Sequence, residues 1–188
     1  IPLTLIIAQK GVMKDAASSI DESELQPLLI SAVQSAVTAI DAMRNTEGAA
    51  LSIDLQERRR QVTEWVEDIS SRVPQVVAEY RLKLKARLAL LLDGVEMDET
   101  RLAQEIALMA DRSDITEELV RLASHFSQFD DALRLPEPVG RKLDFLMQEM
   151  NREVNTIGSK SNDVEITTLV IRIKAEMEKM REQVQNLE

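Results

Sequence analysis

Apolar residues recur along most of this chain at alternating spacings of three and four, the period of an α-helix with one face turned inward. The clearest run lies in residues 139–160, where Val139, Leu143, Leu146, Met150, Val154 and Ile157 stack on one side. A second run, Ile166, Val170, Ile173, Met177, Met180, Val184 and Leu187, keeps a seven-residue alternation. That is the seam of a helical hairpin partner, most simply the 139–160 helix itself. Ile115, Leu119, Leu122, Phe126, Phe129 and Leu133 form a third stripe, opened by Asp114 and Glu117 in a capping-box pattern and closed by Pro136 and Pro138. Asp98 opens a shorter helix through Leu102, Ile106 and Met109, ending near Arg112.

Upstream the period is long. Leu55, Val62, Trp65, Ile69, Val73, Val76, Tyr80, Leu84, Leu88 and Leu91 trace one stripe through residues 49–92, ended by Asp93-Gly94. Pro74 interrupts it at a cost of about 3 kcal/mol, and the stripe resuming in phase predicts a kink rather than a loop. As one helix this stretch would reach about 70 Å, the proportions of an arm that packs on a partner subunit. Before it, Asp21 or Ser23 can cap a helix with Leu29, Val33, Ala36, Ile40 and Met43 on one face; Asn45 and Gly48 could mark a break, but the period soon resumes. Residues 1–20 have weak periodicity and read as a linker or the tail of a preceding domain. The predicted fold is all-α: an extended helical arm over 21–97 and a C-terminal helical bundle over 98–188.

Composition supports that reading. Five Gly and five Pro in 188 residues allow few turns, and with aromatics at 3% the core must be built from Leu, Ile, Val, Ala and Met. There is no cysteine, which excludes a disulfide framework, a thiolate nucleophile and a thiolate metal site. The opening run IPLTLIIA is too short to cross a membrane and lacks the flanks of a signal peptide, so no membrane partner is expected. The formal net charge of −10 argues against a general nucleic-acid binder, so any contact with RNA must rest on local basic patches.

The polar side of the 139–160 helix is the main candidate for chemistry. Lys142, Glu149, Glu153, Thr156 and Lys160 form one row beside the apolar stripe, and Asp144, Gln148, Arg152, Asn155 and Ser159 a second, roughly opposite. Asn155, Thr156 and Ser159 are poor interior helix formers, which suggests a face kept for contacts. Glu149 and Glu153, four apart, could hold a divalent cation through oxygen, although a solvated, salt-bridged face explains the same spacing. His125 is the only histidine. A lone helical histidine is more often structural, and its chemical alternative is proton transfer near neutral pH. Arg58-Arg59-Arg60, the trio Lys83, Lys85 and Arg87, and Arg141, Lys142, Arg152 and Lys160 could contact phosphate or be solvated faces. Neighbouring aromatics are sparse, so base stacking looks weak. No P-loop, dinucleotide fingerprint, nucleophile elbow or HExxH occurs.

The motifs GRKLDFLMQEMNREVNTIGSK, RNTEGAALSIDLQERR and RLAQEIALMADRSDITEELVRLASHFSQF, with GVM at residues 11–13 and the terminal EQVQNLE, resemble the YicC/YloC family of endoribonucleases. The resemblance runs from about residue 9 to the end. It implies a bacterial cytoplasmic protein that cleaves RNA internally with a divalent metal ion and assembles as a homohexamer. It also implies a strand-rich, basic N-terminal family domain outside this chain. Motif positions present here include Glu117, Glu118, Arg121, His125, Gly140, Asn151 and most polar residues of the 139–160 helix. Chemical inference on these positions gives His125, Glu149, Arg152 and Glu153 as catalytic residues. Asp144, Glu149 and Glu153 are then ligands for Mg²⁺ or Mn²⁺. Arg121, Arg141, Lys142, Gln148, Asn155 and Lys160 are RNA contacts, the cations clamping phosphate. The rival expectation is an oligomerisation and RNA-docking scaffold, with catalysis elsewhere in the protein.

Overall fold

A computed structural model describes residues 1–12, 22–91, 98–135 and 137–185. Among these residues every regular element is a helix, as the periodicity requires. The order is α1 (Leu3–Ile7), α2 (Glu22–Leu91), α3 (Glu99–Arg112), α4 (Thr116–Leu133), α5 (Gly140–Lys160) and α6 (Val164–Val184). Two compact units divide the chain, Ile1–Thr46 and Glu47–Glu188.

The first unit holds α1 and the opening turns of α2. Its apolar residues are not covered: Leu28, Leu29, Ile30, Val33, Val37, Ile40 and Met43 are all exposed. Helix α2 runs through both Asn45 and Gly48, as the resuming period allows. By length and apolarity alone, α2 is the one described helix that could cross a bilayer, a test that core helices of soluble proteins also pass.

The second unit contains the core. Leu55, Val62 and Ile69, seven apart on α2, are fully buried and join one apolar cluster with α4, α5 and α6. The later part of α2 therefore belongs to the bundle, where the sequence reading had set 21–97 apart from 98–188. Ion pairs hold the same helix: Arg58 binds Glu176 of α6, Arg59 Nε donates to Asp130 of α4 at 2.9 Å, and Arg72 Nη2 donates to Asp163 at 2.9 Å. Helix α2 continues through Pro74 with no loop, and Val73 and Val76 on either side pack against the core. The expected Asp93-Gly94 terminator, Pro136 and Leu187 lie outside the described residues.

Helix α5 is central, packed against both α4 and α6. It buries Leu143, Leu146, Met147, Met150, Val154 and Ile157, and α6 answers with Ile166, Val170, Ile173, Met177, Met180 and Val184. At Gly158 the helices come close enough that an added Cβ would lie 3.0 Å from Val170 Cγ1. Asp98 caps α3 as expected, accepting from the amides of Thr100 and Arg101. The capping box of α4 differs from expectation. The Asp114 carboxylate takes the Thr116 amide at 2.9 Å and its hydroxyl at 2.6 Å, while Glu117 turns to Arg121.

Candidate functional site

Glu118, Arg121 and His125 sit at i, i+3 and i+7 on α4, so they share one face. That face is turned to α5 at the edge of the apolar interface. Leu122, Phe126 and Phe129 fill the centre of the interface and leave the polar row along its margin. Opposite stands the α5 row of Glu149, Glu153 and Lys160.

Lys160 Nζ donates to Glu118 Oε1 at 2.7 Å and to the Asp114 carbonyl at 2.9 Å. Arg121 bonds Glu117 on its own helix and reaches Glu153 Oε1 at 3.7 Å. Glu118 and Glu153 are the two charged residues buried among the described ones, 6% and 4% exposed. Burying a carboxylate is costly without a cation, and Lys160 and Arg121 supply one to each. Hydrogen bonds from the Thr116 hydroxyl and amide, with Lys160 nearby, hold the Asp114 carboxyl below its ordinary range.

Two polar atoms of this seam find no protein partner although they are shielded from solvent, Glu118 Oε2 and His125 Nδ1. Buried polar atoms are nearly always hydrogen-bonded, so these two are open to a partner; the other two such atoms among the described residues, Asp144 Oδ1 and Arg181 Nε, face each other at 3.5 Å on the other flank of α5. His125 itself is half-buried, and Glu149 is half-buried with no side-chain partner among the described residues. The seam thus gathers an imidazole, three carboxylates and two cations along one α4–α5 edge.

A family model described as "Endoribonuclease YicC-like, C-terminal" matches residues 69–188. The chain belongs to the YicC-like family. It is 47% identical over 169 residues to a protein of Clostridioides difficile named "Probable endoribonuclease YicC", covering 89% of this chain and 58% of that relative. A protein of the same name from Haemophilus influenzae is 36% identical over 189 residues, covering 100% of this chain and 64% of the relative. The chain therefore spans about three-fifths of the length of the curated relatives it matches.

Within this YicC-like region, the expected site residues divide into two groups. Arg121, Glu153 and Lys160 make contacts across the α4–α5 seam, and His125 and Glu149 fall on the same two helix faces by their period. Asp144 does not join them. It accepts from Gln148 Nε2 at 2.7 Å and lies 3.5 Å from Arg181 Nε of α6, on the other flank of α5. Among the described residues no group of three or more His, Asp or Glu side chains is placed to hold a metal ion. Residues 144 and 149 are five apart on one helix, about 140° around its axis, which explains why Asp144, Glu149 and Glu153 do not converge. As a set of three ligands they do not fit a metal.

Other expectations change as well. Lys160 is tied into the seam rather than open to a phosphate. Arg58, Arg59 and Arg60 all have carboxylate partners, in Glu176 and Asp54, Asp130, and Glu57 and Glu64. The hydroxyls of Thr156 and Ser159 donate to the carbonyls of Arg152 and Thr156, so they serve the helix itself. Arg141, Lys142, Arg152 and Asn155 are exposed and have no partner among the described residues. The sequence reading gave Glu118 no role. Its place three residues before Arg121 and seven before His125 was the available signal.

Proposed function

We propose that this chain carries the RNA-cleaving surface of an endoribonuclease, centred on the α4–α5 seam. The observation that supports it most is the unused pair of shielded atoms, Glu118 Oε2 and His125 Nδ1, beside the Arg121–Glu153 and Lys160–Glu118 contacts. The names of the two relatives supply the reaction class.

Cleaving an RNA phosphodiester requires a proton to leave the attacking oxygen and another to reach the departing one. An imidazole carries one nitrogen that accepts a proton and one that donates it, and His125 is the only histidine in the chain. Glu149, half-buried on the facing row, is the carboxylate nearest to solvent in the seam. Arg121 anchors Glu153, and Arg152 on the exposed side of α5 is placed to meet phosphate charge. Metal dependence on Mg²⁺ or Mn²⁺ belongs to this reading as an expectation of the resemblance only. No step is assigned to it, because the three expected ligands do not form one set.

The reading is tested by RNA cleavage with the full-length protein and its His125→Ala and Glu149→Gln variants. Both should cleave at least tenfold more slowly while keeping their helical content and assembly state. Wild-type rates in both variants, with folding and assembly intact, would sink the assignment.

A self-associated form, with the homohexamer as the specific expectation, is the second part of the proposal. Its support is the row of uncovered apolar residues from Leu28 to Met43 in the first unit, a surface of the kind that marks association. Sedimentation of the full-length protein tests it. A monomer at micromolar concentration would remove this part. A bacterial cytoplasmic setting completes the reading.

A further inference from the structure

Helix α5 turns a second face to solvent, and one member is out of character. Phe145 is 59% exposed on a helix whose other large apolar residues are nearly all buried. Single exposed apolar side chains are ordinary, so exposure alone decides nothing. The company it keeps does. At 100° per residue, Arg141, Phe145, Gln148 and Arg152 fall within a sector of about 60°, and Lys142 lies about 60° outside it, on the row of Glu149. Arg141 lies about one turn before the ring and Arg152 about two turns after it. All are exposed.

The charges on this face are open. Arg141, Lys142 and Arg152 have no carboxylate partner among the described residues, although the chain carries 33 acidic residues against 23 basic ones. Elsewhere in the same unit Arg58, Arg59, Arg60, Arg72, Arg121 and Lys160 are paired, while Arg81, Arg87, Arg112, Arg172 and Lys174 are, like these three, without a carboxylate partner among the described residues. Gln148 gives its amide N–H to Asp144, which fixes the side chain and leaves its carbonyl oxygen free to accept. The face therefore offers unpaired cations before and after one flat aromatic surface, with a fixed hydrogen-bond acceptor beside it.

We infer that this face of α5 binds a single-stranded segment of RNA, with one unpaired base stacked on Phe145 and the flanking phosphates held by Arg141, Lys142 and Arg152. The inference rests on the proposed nuclease reading and names its substrate class. Stacking accepts any base because each has a π-face, whereas a duplex keeps its bases stacked on each other and presents mainly phosphates and 2′-hydroxyls. A strand on this face runs alongside the row of Glu149, which borders the seam holding His125. A protein partner is disfavoured by the open cations on both sides of the ring, since each would have to be matched by a carboxylate.

The test uses the full-length protein and a short single-stranded oligoribonucleotide containing 2-aminopurine, compared with the same strand in a duplex and checked as intact after each measurement. Wild-type protein should bind the single strand more tightly and quench the 2-aminopurine. Phe145→Ala should weaken single-strand binding about 5- to 150-fold and abolish the quench, with little effect on the duplex. Phe145→Tyr should retain both. Phe145→Leu, similar in bulk but without a ring, should behave as Phe145→Ala. Equal binding by Phe145→Leu and wild type overturns the inference. So does a Phe145→Ala variant that changes the sedimenting species, which would assign the ring to a contact between copies. If the wild type cleaves RNA while Phe145→Ala binds normally, only this inference fails. If the wild type neither cleaves nor binds RNA, the nuclease reading itself fails.

Discussion

The ammonium of Lys160 lies 2.7 Å from Glu118 Oε1 and joins the last turn of α5 to the first turn of α4. Glu118 is 8% exposed at its side chain and Lys160 35%, so the carboxylate is the member that depends on its partner. Removing the cation leaves a buried charge with no compensation, which for a fully buried pair costs about 3–5 kcal/mol. With Lys160 a third exposed, Lys160→Met should lower stability by about 2 kcal/mol in urea unfolding. Adding Glu118→Gln should recover part of that loss, because the orphaned charge is then gone. A double variant less stable than the sum of the singles would contradict the pairing.

Asp163 does two jobs, and both need its charge. It caps α6 by accepting the Ile166 amide at 3.0 Å and receives Arg72 Nη2 at 2.9 Å. The hydrogen bond from Arg72, helped by the Ile166 amide, holds the Asp163 carboxyl below its ordinary range, and Lys179 with Arg58 does the same for Glu176. A folded pKa below the unfolded one means stability that is fully present above the unfolded value, about 3.9 for Asp and 4.3 for Glu. It is lost as pH falls through the folded values. Urea midpoints should therefore be flat near neutrality and decline below about pH 4. Asp163→Ala should lose about 1 kcal/mol at pH 7 for the cap alone and show a shallower acid decline. An unchanged decline in the variant would remove Asp163 as a contributor.

The helical period made most of the bundle legible before any coordinates. The stripes of α4, α5 and α6 are the observed core almost residue for residue, because a side chain that packs must recur every three or four positions. The arm was harder. Leu29, Val33, Ile40 and Met43 have the same period as buried residues, yet they are exposed in the first unit. Period reports which residues share a face and says nothing about what covers it. At the candidate site, Glu149, Glu153 and Lys160 could be placed on one row of α5, and His125 at the edge of the α4 stripe, by angle alone. The roles of Glu118 and Lys160 could not, because they depend on the register between α4 and α5, which no single-helix pattern contains. Phe145 is out of phase with Leu143, Leu146 and Met150, which is the sequence signal of an aromatic off the buried stripe.

Gly158 is a packing residue, and the size of its neighbour decides what a methyl group does there. A helical glycine costs about 0.5–1 kcal/mol relative to alanine, so Gly158→Ala gains that much from propensity alone. The new Cβ would lie 3.0 Å from Val170 Cγ1, however, and overpacking a close helix contact costs about 1–3 kcal/mol. The net expectation is a loss of about 1 kcal/mol for Gly158→Ala. In a Val170→Ala background the obstruction is gone, and the same substitution should become neutral or stabilising. Thermal unfolding of the four proteins in this cycle measures the coupling, and strict additivity would show that the two side chains do not compete for space.

Asp144 separates the two accounts of the polar side of α5. If Asp144, Glu149 and Glu153 were metal ligands together, removing any one should weaken Mg²⁺ or Mn²⁺ binding, since hard cations are held by the sum of their oxygen donors. The geometry points the other way. Asp144 accepts from Gln148 and faces Arg181, away from Glu149 and Glu153. Asp144→Asn should therefore leave any saturable Mn²⁺ binding of the full-length protein, followed by calorimetry, within about twofold of wild type. Its cost should be structural, about 0.5–1 kcal/mol from the weakened, partly exposed contact with Arg181. Glu149→Gln is the contrasting variant, because Glu149 stands on the row of Glu153 and Lys160 and has no side-chain partner among the described residues. A tenfold loss of Mn²⁺ affinity in Asp144→Asn would restore the three-carboxylate site and require α5 to be met by ligands from another chain or segment.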